Sequence, residues 1–361
     1  MMKTNVCPKN TALISILDTH FQGKINKARL KLISFFICSL CKVQTVTFSK
    51  LANAFDSTAN TESSLRRIQR FIASFSLDGD LIAQLIFRLL PKQDKYILSI
   101  DRTNWKFGQL DINIFMLGIV YQGVAFPLLF TMLPKKGNSN SQERIELIDR
   151  FIGLFGHKCI ESLVADREFV GREWIEYLNF NNIKYHIRIR NNFKVYLFNK
   201  QKEVKASWLF NNLKVGEYKY YNKIVSINGQ PCYISGSKLT KGEFLIVISF
   251  SNPQEAQLHY KQRWQIEMCF KAMKSSGFDI QKTHLTNIDR IGKLVLLIMI
   301  AFVWCYKIGI YLHQKIKEIT IKKHGRKEIS IFKYGLKHLA NWLLNSMSII
   351  NVDLVNFLSC T

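Results

Sequence analysis

Apolar positions recur at helical spacing through most of the first 95 residues, then give way to short apolar runs bounded by turn residues. Leu30–Leu40 is apolar, and Phe48–Phe55 (FSKLANAF) keeps a helical period. After Asp56-Ser57-Thr58, the stretch TESSLRRIQRFIASF opens on a Ser/Thr cap signal. It sets Leu65, Ile68, Phe71 and Ile72 on one side and Arg66, Arg67 and Arg70 on the other. A helix, a short polar turn and a basic helix is the build of helix-turn-helix readers, so residues 1–95 are expected to be a helical DNA-binding domain.

From Tyr96 the period changes. YILSID predicts a strand ending on Asp101, and 112–121 and 124–133 predict two more, joined at Gln122-Gly123 by a tight hairpin. Ser141–Phe155 has a helical period, CIESLVAD a strand ending on Asp166, Gly171–Phe180 a helix, and 183–190 (IKYHIRIR) an alternating strand. The expected fold class is α/β: a mixed five-stranded sheet with helices over 96–190. Residues 191–250 carry aromatic and β-branched runs around Asn228-Gly229 and predict a β-rich insertion. Residues 251–290 return to the core with a helix after Asn252-Pro253, and 291–361 read as a basic helical C-terminal region, with Lys322, Lys323, Arg326 and Lys327 before its last helix.

Charge changes the picture more than composition does. Fifty-one basic against 26 acidic residues give a formal charge of +25, which calls for a polyanionic partner. The excess is uneven: 12 basic face 10 acidic residues over 96–190, and six face four over 251–290, while the flanks and the insertion are strongly basic. A cationic frame around a nearly neutral centre suits an enzyme that grips phosphates and needs carboxylates to hold cations. The eight cysteines show a single C-x-x-C, Cys38 and Cys41, with no second pair at zinc spacing, and read as reduced thiols of a cytoplasmic protein. The N-terminus does not read as a secretory signal. The strongest apolar run, Leu294–Cys305, is short of the roughly 20 residues of a spanning helix and is expected to be a buried one.

Two features carry the chemistry. Asp101 and Asp166 end predicted strands, and strand ends of neighbouring parallel strands converge on one sheet edge. On YKQRWQIEMCFKAMK (260–274), drawn as a helix, Tyr260, Arg263, Glu267 and Lys274 share a stripe within about 60° of arc, beside a core face of Ile266, Cys269, Phe270 and Met273. Three carboxylates on an all-oxygen site suit hard divalent cations such as Mg²⁺. Two such ions activate a water or 3′-hydroxyl and stabilise the leaving oxygen of a phosphodiester. Trp105 reads as packing beside Asp101 and His284 as structural. Arg102 and Arg167, each directly after an aspartate, read equally as screens of the carboxylates or as phosphate contacts.

The spacing Y-x2-R-x3-E-x6-K, met by Tyr260, Arg263, Glu267 and Lys274, resembles the signature of the DDE transposases of bacterial insertion sequences, in insertion-sequence family four. SIDRTNW (99–105), VADREFVG (164–171) and RWQIEMCFKAMKSSGFDIQKTHL (263–285) also look like that group, over a resemblance spanning about residues 45–310. The resemblance implies a ribonuclease-H-like core interrupted by a β-rich insertion before the glutamate helix. It implies that Asp101, Asp166 and Glu267 are catalytic and hold two Mg²⁺ ions, with Mn²⁺ able to substitute. It implies that Tyr260, Arg263 and Lys274 bind DNA phosphates at the transposon end. Some relatives form a DNA hairpin and flip a base onto an aromatic of the insertion, for which Trp208 is the candidate. The expected partners are double-stranded DNA, as terminal inverted repeats and target, and a second protomer; the expected place is the bacterial cytoplasm, at the nucleoid. The alternatives are a nuclease or resolvase of the same fold that does not join strands, and a non-catalytic DNA-binding derivative.

Overall fold

The computed structural model describes residues 8–107, 109–323, 325–345 and 353–359. Five helices come first: α1 (Pro8–Phe21), α2 (Lys27–Val43), α3 (Phe48–Asn53), α4 (Thr61–Ser74) and α5 (Gly79–Leu89). The cap of α4 is Asn60, whose side chain accepts the Ser63 N–H, in place of the serine or threonine expected. Strands β1 (Tyr96–Phe107), β2 (Leu110–Tyr121) and β3 (Val124–Met132) follow, then α6 (Ser141–Phe155), β4 (Ile160–Ala165), α7 (Arg172–Phe180) and β5 (Tyr185–Ile189). Next come β6 (Lys194–Leu197), β7 (Lys202–Lys205), β8 (Tyr218–Ile227), β9 (Gln230–Lys238) and β10 (Phe244–Ser249). The last helices are α8 (Ala256–Lys261), α9 (Trp264–Lys274), α10 (Ile288–Tyr311) and α11 (Ile331–Leu344).

The chain forms two compact units, one of Met1–Lys92, Trp105–Ile112 and Phe270–Thr361, the other of Gln93–Asn104 and Asn113–Cys269. In the first, α10 is buried on nearly every side and packs against α2, α5 and α11. The helix extends beyond its apolar run, which stays between Lys293 and Lys307 as expected. By length and composition it could cross a membrane, but 83% of its most apolar window is buried inside the protein. A helix apolar all round is a core helix when other helices cover it. Gly309 and Gly335 let α10 and α11 touch backbone to backbone, since a Cβ on either would collide with the facing main chain.

The second unit is built on a mixed sheet in the order β3-β2-β1-β4-β5-β10-β9-β8-β6-β7. The hairpin at Gln122-Gly123 is present, with φ of 47° and 90°, as the two-residue turn requires. β1, β4 and β5 run parallel, and β10 adds antiparallel to β5. Two expectations are corrected. The core sheet is not a separate five-stranded one: the insertion's strands continue the same sheet through β10, because Ile246–Ser249 bond Ile189–His186. The first strand does not end on Asp101 but runs to Phe107, since Thr103 and Trp105 face inward and Asn104 and Lys106 outward.

Candidate active site

Register brings the two aspartates together. β1 pairs β4 from Ile97↔Ser162 to Ile100↔Ala165, so Asp101 and Asp166 come next, side by side at a strand spacing of about 4.8 Å. Each carboxylate is held by the backbone N–H of the residue after it: Arg102 to Asp101 Oδ1 and Arg167 to Asp166 Oδ1, both at 2.7 Å. β4 pairs β5 as far as Ala165↔Ile187, which puts Arg188 in the same row, beside Asp166.

Above β4, β5 and β10 lies α8, seated by Ala256 and Tyr260 against Val247. The stretch 260–274 is two helices rather than one, with a turn at Gln262-Arg263. Across the turn, Tyr260, Arg263 and Glu267 still meet the acids. Tyr260 donates its hydroxyl to Asp166 Oδ1 at 3.2 Å. Arg263 donates from Nη1 to Asp101 Oδ2 at 3.2 Å and from Nη2 to Glu267 Oε1 at 2.6 Å. Ile266, Cys269, Phe270 and Met273 are buried, as the core face requires. The guanidinium, its side chain only 7% exposed, therefore lies between Asp101 and Glu267. Lys274 falls in the helical unit, where its ammonium stands 5.3 Å from the centre of the buried Trp105 ring.

Burial dominates the electrostatics of Asp101, with the neighbouring charges acting on it in both directions. Burial pushes the Asp101 carboxyl up to about 7; the Arg102 N–H and Arg263 pull it back, while Glu168 and Glu267 raise it further. Burial works against the charge on Arg263, yet Tyr260, Glu267, Asp101 and Asp166 outweigh it and raise its pKa. Tyr260 is pushed up to about 12, mainly by burial. Among the described residues no three His, Cys, Asp or Glu side chains are gathered closely enough to hold a metal ion as they stand. The donor set nonetheless suits a hard cation: it is all carboxylate, and the buried Arg263 guanidinium bonds two of its three acids.

The remaining predicted residues lie elsewhere. Arg66, Arg67 and Arg70 are on α4, where Arg66 pairs with Glu62 at 2.6 Å. A cavity of about 620 Å³ opens beside α4, walled by Leu65 and Arg70 and by Lys282, His284 and Arg290, with no acidic residue in its lining. Trp208 is 63% exposed on the short 3-10 turn Ala206–Phe210, with Lys202 Nζ 5.5 Å from its ring. It borders a hollow of about 230 Å³ shared with Lys200, Lys219, Tyr220 and Tyr221. Arg167 is exposed, whereas Arg102 is turned inward onto Glu168. Sequence reading passed over Arg188 and Glu168. The alternation of Tyr185–Ile189 was a usable signal for Arg188, because a parallel partner of β4 must place one of its residues beside Asp166.

Fold and site together define an α/β protein with a row of carboxylates bridged by a buried cation. Residues 92–304 match the family model of the transposase DDE domain, and the chain belongs to that family. The cryo-EM structure of a piggyBac transposase synaptic complex with hairpin DNA is similar at a TM-score of 0.48 and 13% identity, over 92% of this chain and 77% of that one. No curated protein matches the sequence.

Proposed function

We propose that this transposase is of the insertion-sequence family four type and carries out cut-and-paste transposition, cleaving DNA at transposon ends and joining them to target DNA. The observation that carries this reading is the side-by-side placement of Asp101 and Asp166 on β1 and β4, with Arg263 tying Asp101 to Glu267. The order β3-β2-β1-β4-β5, with β1, β4 and β5 parallel, supports a ribonuclease-H-like core extended by the insertion.

In this reading Asp101, Asp166 and Glu267 hold two Mg²⁺ or Mn²⁺ ions. When bound, such ions supply an activated attacking oxygen and neutralise charge on the leaving one. The chain's own groups do the placing. Arg263 offers a fork and Lys274 a point charge to phosphates beside the scissile bond, and Tyr260 a hydroxyl. Arg188, next to Asp166, is a fourth phosphate ligand. Glu267 is the most exposed of the Arg263–carboxylate contacts, so this arm can yield as DNA enters. Two protomers synapse the two ends.

Duplex DNA outside the active site lies along α4 and the basic cavity beside it, by charge complementarity with Arg70, Lys282 and Arg290. Replacing Arg70 and Arg290 together by Ala is expected to weaken duplex binding and lower the salt slope by about two phosphate contacts. Fluorescence anisotropy over a salt series checks this; an unaltered slope removes the cavity from the interface. Trp208→Ala is expected to cost about tenfold in affinity for an end with an unpaired base, through lost stacking, and to spare fully paired DNA. Equal losses on both substrates would make Trp208 a general contact.

The test of the function is incubation with candidate inverted-repeat ends and Mg²⁺, followed by sequencing of the products. Joined products from a pre-cleaved end separate transposition from a nuclease or resolvase that only cuts.

A further inference from the structure

Behind the two aspartates lies a network that neither metal holding nor phosphate gripping uses. Arg102 points its guanidinium back across the sheet onto the turn after β4. Nε donates to Glu168 Oε1 and Nη2 to Glu168 Oε2, both at 3.2 Å, a bidentate fork. Nη1 donates to Asn113 Oδ1 at 3.1 Å and Nη2 also to Asn138 Oδ1 at 3.0 Å. Asn113 is itself fixed, donating to the carbonyls of Lys135 and Gly137 at 3.0 Å. From the other side the buried Arg144 donates to the Glu168 carbonyl at 3.0 Å and to Ser139 Oγ at 3.0 Å. Arg102 and Glu168 are 13% and 22% exposed, too enclosed for a loose surface pair.

The placement matters because of what each partner adjoins. Arg102 directly follows Asp101 and gives it a backbone N–H, and Glu168 stands two residues after Asp166. The fork therefore ties the segment bearing one aspartate to the segment bearing the other, just where the β1–β4 pairing ends. With four of its donor contacts engaged, Arg102 is committed inward and is not poised for a phosphate. Both oxygens of Glu168, a carboxylate close enough to raise the Asp101 pKa, are likewise taken.

We infer that Arg102 is a positioning residue: its fork on Glu168 fixes the separation of the Asp101 and Asp166 carboxylates and so sets the affinity of the site for divalent cations. The inference rests on the reading of those aspartates as cation ligands. Groups that orient ligands without touching the ion typically change affinity by about 10- to 100-fold. Lysine cannot replace the arginine, because one ammonium does not reproduce two parallel bonds and the Asn113 contact.

The experiment uses the full chain without DNA and reads Mn²⁺ binding from the electron-paramagnetic-resonance signal of free Mn²⁺. Arg102→Ala and Arg102→Lys are expected to weaken Mn²⁺ binding by about tenfold or more, with duplex binding in EDTA unchanged. Glu168→Gln keeps one acceptor, serves if the arginine variants do not fold, and is expected to weaken it less. Asp101→Asn is the reference. If it leaves Mn²⁺ binding intact, the cation-ligand reading fails, and the inference with it. If Asp101→Asn abolishes binding while the Arg102 and Glu168 variants bind Mn²⁺ as the wild type does or more tightly, the inference alone is overturned. Loss of duplex binding in EDTA, with an unshifted Mn²⁺ curve, would overturn it too and make Arg102 a DNA contact.

Discussion

Glu267→Ala is expected to abolish nicking at transposon ends in Mg²⁺, by about 10³-fold or more, and to leave end binding within about twofold. A thousandfold is about 4 kcal/mol of lost transition-state stabilisation, the scale expected when one of three ligands to the reacting centre is removed. Binding is expected to survive because Glu267 supplies no positive charge, while the proposed phosphate grips, with Arg70, Lys282 and Arg290 beside α4 and Lys200, Lys202 and Lys219 in the insertion's hollow, are all retained. Fold is preserved because Glu267 is partly exposed and its partner Arg263 keeps Asp101. A single-turnover nicking assay beside a gel-shift titration measures both quantities. Nicking at the wild-type rate would remove Glu267 from the cation ligands.

Arg263→Ala is expected to hurt stability and end binding together. The arginine is buried and bonded to two carboxylates, so its loss leaves Asp101 and Glu267 facing each other with no counter-charge. Breaking a fully buried pair costs about 3–5 kcal/mol; Glu267 is partly solvated, so about 2–3 kcal/mol is expected here. Mg²⁺ should stabilise this variant more than the wild type, because a divalent cation among the carboxylates restores the missing charge. Arg263→Lys keeps the charge without the fork and should fall between the two. Thermal unfolding with and without Mg²⁺ reads the stability arm, and the salt dependence of end binding, shallower by about one phosphate, reads the other. Equal Mg²⁺ stabilisation of wild type and variant would mean that Arg263 does not stand where the cations act.

Local elements were largely legible in the chain, and long-range pairings were not. Helix α6 runs over Ser141–Phe155 as its period predicts, closed by an Asn140–Glu143 capping box. The hairpin at Gln122-Gly123 and the turn at Asn228-Gly229 sit where their residues demand positive φ. The apolar run YILSID stops at Asp101, but β1 continues through Arg102, whose guanidinium is satisfied by Glu168, Asn113 and Asn138. The insertion's strands were recognisable by composition, but not that Phe244–Ser249 would seal onto β5, because register between distant segments is set by packing rather than by local pattern. The stripe of Tyr260, Arg263 and Glu267 was readable from helical geometry. That Arg263 would turn toward the acids was not, since an arginine beside a carboxylate reads the same whether it faces solvent or a buried partner.

In the proposed reading Asp101, Asp166 and Glu267 close around divalent cations, which can be located as Mn²⁺ by anomalous scattering in crystals of the protein bound to an end duplex. Manganese peaks are expected at oxygen-ligand distances, about 2.0–2.6 Å, from Asp101 and Asp166, with Glu267 completing the shell and Arg263 moved onto a phosphate. Manganese bound elsewhere, with Arg263 still joining Asp101 to Glu267, would contradict it.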